Sequence, residues 1–326
     1  MLFTKLAATL SLASLAAAEL QYFGVNEAGM EFGETKLPGL YGKDFIDPDV
    51  KTIPYWRDQG LNIFRYSFKW ERAQPEAGGP LNETYIGYMD KFIETATSAE
   101  NGHIKVLLDP HNYARYYGKV IGVDESIGTL VGFWVQLALR YKDNEHVFFD
   151  LMNEPHTMDA QIWWTAAQAS IDAIRAVGAK NLVLVPGISW TGAHSWISST
   201  NAQYAANFRD DGNNFAFDMH QYLDSDYSGT SEICSKTPAQ ALTSTTDWLR
   251  EHNMKAFLGE FAASTDASCE GAIEAAGRYL NDNNDVWLGA AWWAAGPWWG
   301  NYMYSAEPVK GTQTQPQMYI WQAFFP

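Results

Sequence analysis

The sequence predicts a single α/β domain closed into a (β/α)8 barrel, and three observations predict it. Eight short apolar runs without strict polar alternation are separated by segments with an apolar stripe at helical spacing, as in a parallel sheet covered by helices. Eight such units in a chain of 326 residues match the size of a closed barrel. The open doubly wound sheet is the alternative, but no Gly-x-Gly-x-x-Gly turn follows any run to hold a dinucleotide phosphate.

The first strand is 22–26, followed by a Gly-rich loop and a helix over 48–59 that Gly60 stops. The second strand, 62–66, leads through a polar loop to a helix over 82–99, and Asn82-Glu83-Thr84 at its start is an N-glycosylation sequon. The third strand, 105–109, runs into the aromatic loop Pro110-His111-Asn112-Tyr113, and a helix over 128–141 follows. The fourth strand begins at Phe148 and stops on Glu154, because Pro155 has no N–H for a ladder and biases its predecessor towards extended backbone. A helix over 158–176 precedes the fifth strand, 182–186, and 215–222 reads as the sixth. The helix 238–252 leads into the seventh, Ala256-Phe257-Leu258-Gly259-Glu260, and the helix 270–281 into the eighth, 286–293. No linker rich in Pro, Ser or Thr interrupts this order, so one domain is expected over 19–326.

Residues 1–18 have the Lys5 charge, the apolar stretch from Leu6 to Leu15 and the Ala16-Ala17-Ala18 ending of a secretory signal peptide. The stretch is too short and too rich in Ala, Ser and Thr for a membrane span. A secreted, extracellular and monomeric protein is therefore expected, in which the only two cysteines, Cys234 and Cys269, pair in loops on the catalytic side. A formal charge of −16 disfavours nucleic acid and anionic membranes as partners and points to a neutral substrate. The 14 tryptophans exceed what a core alone needs, and indole faces are good platforms for sugar rings.

In such a barrel the working groups lie at the C-terminal strand ends. Here they are Asn26, Arg65, His111, Asn153, Glu154, His220, Tyr222, Glu260 and Trp293. Singly, each has a plain structural explanation: an ion-pair partner, a hydrogen-bonded core histidine, a packing indole. Together they describe an aromatic-walled cleft with two acids, and paired carboxylates at strand ends are what hydrolysis of a glycosidic bond requires. One protonates the leaving oxygen and the other attacks the anomeric carbon, while a basic neighbour holds their charge states apart.

The motifs Asn153-Glu154-Pro155, Gly259-Glu260-Phe261, His220-Gln221-Tyr222, Asp109-Pro110-His111-Asn112-Tyr113 and Trp292-Trp293-Ala294-Ala295-Gly296-Pro297-Trp298-Trp299-Gly300 resemble those of fungal endo-β-1,4-glucanases of glycoside hydrolase family 5. The resemblance covers nearly the whole chain after residue 18 and implies the (β/α)8 TIM barrel, hydrolysis of β-1,4-glucan with retained configuration, and no cofactor or metal. It implies Glu154 as acid/base, Glu260 as nucleophile, Asn153 as a ligand of the sugar 2-hydroxyl, and Arg65 and Tyr222 as the groups orienting Glu260. His111 and His220 match site histidines, Trp293 matches the sugar-stacking platform with a cis peptide after it, and Asn26 and Trp190 are counted as supporting or substrate-binding residues. One departure is His194, where related enzymes carry an aromatic residue. No cellulose-binding module is recognised, so weak attachment to crystalline cellulose is expected.

A serine hydrolase would need Gly-x-Ser-x-Gly, and Gly187-Ile188-Ser189-Trp190-Thr191 lacks the second glycine. A metallohydrolase would need more than His111 and His220, and no His-Glu-x-x-His is present. A barrel that only binds polysaccharide would not require both glutamates. A β-mannanase or xyloglucanase would, because the acids fix the reaction and not the sugar.

Overall fold

The computed structural model describes residues 20–324; the expected signal segment lies outside the described residues. The strands are β1 (Tyr22–Met30), β2 (Ile63–Phe68), β3 (Lys105–Pro110), a hairpin β4 (Arg115–Tyr116) and β5 (Lys119–Val120), then β6 (Val147–Asp150), β7 (Val183–Pro186), β8 (Phe215–Tyr222), β9 (Ala256–Ala262) and β10 (Trp287–Ala295). All but the hairpin pair in parallel in chain order, and β1 closes the barrel by pairing with both β2 and β10. The main connecting helices are α1 (Ile53–Asp58), α3 (Glu83–Thr97), α4 (Ile127–Tyr141), α5 (Ala160–Ala176), α7 (Pro238–Glu251) and α8 (Ala267–Asp282), with short α2 (Trp70–Ala73), α6 (Asn201–Ala205) and α9 (Pro316–Gln322) between or after them.

Side chains alternate across a strand, and that period of two builds the site. Ile63, Leu107, Phe148, Leu184, Ala216, Phe257 and Leu288 form one apolar cluster drawn from strands all round the barrel, which plugs its interior. Two residues further along four of these strands the same face carries Arg65, Asp109, Asp150 and Asp218, all fully buried. A charged layer therefore sits directly above an apolar floor. The outward faces pack against the helices in a second, larger cluster containing Phe64, Val106, Phe149, Phe217 and Leu258.

Several local expectations are corrected. Strand β6 leaves its ladder after Asp150 instead of running to Glu154; Leu151 and Asn153 still donate to Leu184 and Pro110 carbonyls, and Glu154 takes a left-handed φ of 41° that no strand continues. The helix expected over 48–59 divides into a 3-10 turn, Val50–Thr52, capped by Asp49, and α1, which carries Pro54 in its first turn, where proline is tolerated. Helix α8 starts at Ala267, capped by Asp266, so Cys269 lies in its first turn and not in a loop. It is bonded to Cys234 with the Cα atoms 5.0 Å apart. Asn82 caps α3: its Oδ1 accepts from the N–H groups of Thr84 and Tyr85, at 3.2 and 3.4 Å. Among the described residues no helix is long and apolar enough to cross a membrane.

Candidate active site

Arg65 organises the mouth of the barrel. Its Nε donates to Asp150 Oδ2 at 2.9 Å, Nη1 to Asn26 Oδ1 at 2.9 Å and to Glu260 Oε1 at 3.0 Å, and Nη2 to Asn153 Oδ1 at 2.9 Å. Asp109 Oδ2 lies 3.2 Å from Nη1. A planar guanidinium is suited to holding several acceptors at once. Burial works against its charge, but the surrounding carboxylates of Asp109, Asp150, Asp218 and Glu260 outweigh it and hold the cation firmly.

From Arg65 the hydrogen-bond order is determined outward. Because Asn153 Oδ1 accepts from Arg65, its Nδ2 is left to donate to His111 Nε2 at 3.1 Å, and His111 Nδ1–H then donates to Asp109 Oδ2 at 2.8 Å. Asn26 is fixed similarly, its Nδ2 donating to the carbonyls of Gly259 and Trp292 at 2.9 and 3.2 Å. Gly259 is required for space, since a Cβ there would lie 2.0 Å from Asp218 Oδ1.

The two glutamates face each other across His220. Glu260 is 4 % exposed; besides Arg65 on Oε1 it accepts the Tyr222 hydroxyl on Oε2 at 2.7 Å. His220 Nδ1 is 2.8 Å from Glu154 Oε1 and 3.4 Å from Glu260 Oε2, and its Nε2 is 3.1 Å from Asp218 Oδ2. Oxygens of the two glutamates come within 4.8 Å of each other. Burial opposes protonation of His220, but the charges of Glu260 and Asp218 prevail and keep its pKa well above the ordinary imidazole value. The Glu154 carboxyl is pushed up by burial and by the charge of Glu260, with the His220 hydrogen bond acting the other way. Donor atoms of Glu154, His220 and Glu260 converge closely enough for a metal, yet both His220 nitrogens are engaged with carboxylates, which leaves no free lone pair for an ion.

An aromatic wall flanks the acids. The His111 ring stacks on Trp293 at 5.1 Å, Tyr113 packs edge-on between His111 and His156, and His156 stacks on Trp190 at 4.6 Å. The Trp293–Ala294 peptide is cis, as the family resemblance implied. Trp190 is 52 % exposed, on a loop in which Ser189, Trp190 and Thr191 all have positive φ. The structure thus brings Asn26, Arg65, His111, Asn153, Glu154, His220, Tyr222, Glu260 and Trp293 together, with Trp190 at the rim. It adds Asp109, Asp150 and Asp218. Their signal was present in the sequence: an aspartate inside an apolar strand run is tolerated only when it has a partner.

The model of the cellulase family, glycosyl hydrolase family 5, matches residues 24–296, nearly the whole barrel. The chain belongs to glycosyl hydrolase family 5. Endo-β-1,4-glucanase A of Emericella nidulans is 41% identical to this family 5 chain over 324 residues, 98% of this chain and 97% of that protein. Endoglucanase gh5-1 of Neurospora crassa is 44% identical over 301 residues, 91% of this chain and 75% of the relative. Among solved structures, XacCel5A in complex with cellopentaose superposes with a TM-score of 0.90 at 45% identity, covering 94% of this chain and 99% of that one.

Proposed function

We propose that this family 5 protein is a secreted endo-β-1,4-glucanase that cleaves internal bonds of cellulose and β-glucan by double displacement with retained configuration. The observation that carries the reading is the pair Glu154 and Glu260, whose oxygens lie within 4.8 Å of each other. Retaining enzymes hold their carboxyl groups about 5 to 5.5 Å apart, whereas inverting ones need about 6.5 to 9.5 Å to admit a water. The environments divide the labour. Glu260, with Arg65 and Tyr222 donating to its two oxygens, is arranged as an anionic nucleophile. Glu154, raised by burial and by Glu260, is arranged to hold a proton for the leaving oxygen and to act as base once Glu260 is esterified. Asn153, fixed by Arg65, and Trp293, backed by His111, are placed to bind the sugar at the cleavage point.

The glucan preference draws support from the relatives, which are named endoglucanases, and from the neighbour solved with cellopentaose. Secretion draws support from the leader-like residues 1–18 and from the disulfide, which persists in oxidising compartments. Parallel assays of reducing-end release from carboxymethylcellulose, mixed-linkage β-glucan, mannan and xylan test the sugar; faster release from mannan would overturn the glucanase reading. The roles are tested by azide. Glu154→Ala should yield the β-glycosyl azide from an aryl cellobioside with a good leaving group, and Glu260→Ala the α product. The reverse pattern, or an inverted wild-type product, would sink the assignment.

A further inference from the structure

Asn82-Glu83-Thr84 is the only Asn-x-Ser/Thr triplet in the chain, and the active site makes no use of it. The structure divides the Asn82 side chain between two surroundings. Its Oδ1 caps α3, accepting the N–H groups of Thr84 and Tyr85, and its backbone N–H donates to the Ala73 carbonyl at 2.8 Å. Two backbone donors thus determine which end of the amide is oxygen, and the other end is Nδ2. Nδ2 has no partner among the described residues and is not buried, so it meets solvent.

The neighbouring side chains are engaged elsewhere. Glu83 Oε2 accepts from Arg140 on α4 at 3.0 Å, and the Tyr85 hydroxyl donates to the Met30 carbonyl at 2.8 Å. Thr84 is exposed, and among the described residues only its backbone N–H serves the cap. Capping alone accounts for Asn82, but Asp or Ser would cap equally well. It gives no reason for an unengaged hydroxyl two residues on, whereas glycosyl transfer to asparagine requires a Ser or Thr hydroxyl at that place.

We propose that Asn82 carries an N-linked glycan in the secreted protein and that the modified side chain still caps α3. In the transfer, Nδ2 gives up one proton and forms a bond to the anomeric carbon of an N-acetylglucosaminyl unit. The bond from that carbon to the pyrophosphate of a lipid-linked oligosaccharide donor breaks, and its electron pair leaves with the lipid pyrophosphate. The product is a secondary amide whose Oδ1 keeps its lone pairs for Thr84 and Tyr85. Helix N-termini in this barrel share a face with the C-terminal strand ends, so the glycan stands on the catalytic side, beside the exposed stretch 75–78.

The proposal rests on the secretion reading, and the test separates the two. The full chain is expressed in yeast, once with its own residues 1–18 and once behind a host leader. Secreted protein is treated with peptide N-glycosidase in H₂¹⁸O and digested for mass spectrometry, so that an ¹⁸O-labelled aspartate at position 82 marks an occupied site. The label is expected in wild type and not in Thr84→Val, which deletes the hydroxyl and leaves the cap. Unlabelled Asn82 in the secreted wild type overturns the proposal, as does a label that persists in Thr84→Val. Export only behind the host leader would sink the secretion reading, while the label would still judge the glycan. Urea unfolding reads the cap: Asn82→Ala should lower the folding constant about fivefold relative to Thr84→Val, and glycosylated wild type should fall no more than about twofold below Thr84→Val. A glycosylated wild type as weak as Asn82→Ala would show that the glycan displaces the cap, and an Asn82→Ala protein as stable as Thr84→Val would show that there is no cap to keep; either overturns that half of the proposal.

Discussion

Asn26 and Glu27 are adjacent on β1, and the pleat sends them into two different electrostatic regions. On the Asn26 side, Asp109, Asp150, Asp218 and Glu260 gather round Arg65, with His220 bonded to Asp218. On the Glu27 side, the Glu27 carboxyl is fully buried, neither oxygen has a hydrogen-bond partner among the described residues, and its charged neighbours there are Glu307 and Asp49. Burial, then Glu307 and Asp49, push the Glu27 pKa well above the ordinary carboxylate value, and burial raises Glu307 as well. Both regions are desolvated. In the first a guanidinium and an imidazolium offset most of the acidic charge, with Asp150, pushed up by burial and by Asp218, the group nearest to taking a proton; in the second only a proton can. A site that needs a permanent carboxylate for attack has to be of the first kind, and the second kind tolerates burial by giving up its charge.

The largest effect should come from removing the cation. Arg65→Met leaves four buried acids without it, and breaking such a pair costs about 3 to 5 kcal/mol. Asp150, already pushed up by burial and by Asp218, would take up a proton most readily. Urea unfolding at pH 7 should show that loss, and the difference from wild type should shrink at pH 4 as the stranded carboxylates protonate. An equal loss at both pH values would mean that packing and not charge is what Arg65 supplies.

A smaller effect is expected from one donor within the first region. Tyr222→Phe deletes the hydroxyl 2.7 Å from Glu260 Oε2 while keeping the ring stacked against Tyr304. A hydrogen bond to a charged group contributes about 1.5 to 3 kcal/mol, so glycosylation from an aryl cellobioside should slow by roughly 10- to 100-fold. Pre-steady-state dinitrophenol release measures it. If the rate stays within about twofold, Arg65 alone orients Glu260.

These regions also show what a single sequence can reveal. The eight strands and the two glutamates were legible because short apolar runs, helical stripes and acids beside proline or glycine are local signals. Arg65 and Glu260 are far apart in the chain, and their 3.0 Å contact exists only once the barrel closes. The strand ends earlier than the sequence predicts because Pro155 marks where the chain must turn, not where β6 leaves its partners; Glu154 has a positive φ, and its carboxyl meets His220 Nδ1. The hairpin β4–β5 gave no signal, since two-residue strands leave no period to read. Glu27 carries no local signal, because nothing in Asn26-Glu27-Ala28 says which of two polar neighbours faces the cation.

The smallest effect per unit of pH should separate the regions most cleanly. Glu27 is held protonated in the folded protein above the ordinary carboxylate value of about 4.3, whereas in the unfolded chain it ionises there. Between that value and its raised folded value the native state binds the extra proton, so stability falls as pH rises, by up to about 1.4 kcal/mol per pH unit for one group. Below about pH 4 both states are protonated and the term vanishes. Glu27→Gln keeps the shape and cannot ionise. Its urea midpoint should therefore gain on wild type as pH rises from about 5 towards the raised folded-state value, whatever constant offset the amide introduces. Asp109→Asn, followed on acidification below about pH 5, should run the opposite way, wild type losing its advantage as pH falls. Burial raises the Asp109 pKa, but Arg65 and His111 bring the net value below the usual range, so its contribution is present above about pH 4 and is lost on acidification. Parallel slopes for wild type and Glu27→Gln would mean that Glu27 is ionised and partnered in solution, and the division between a cation-neutralised and a proton-neutralised face of β1 would not stand.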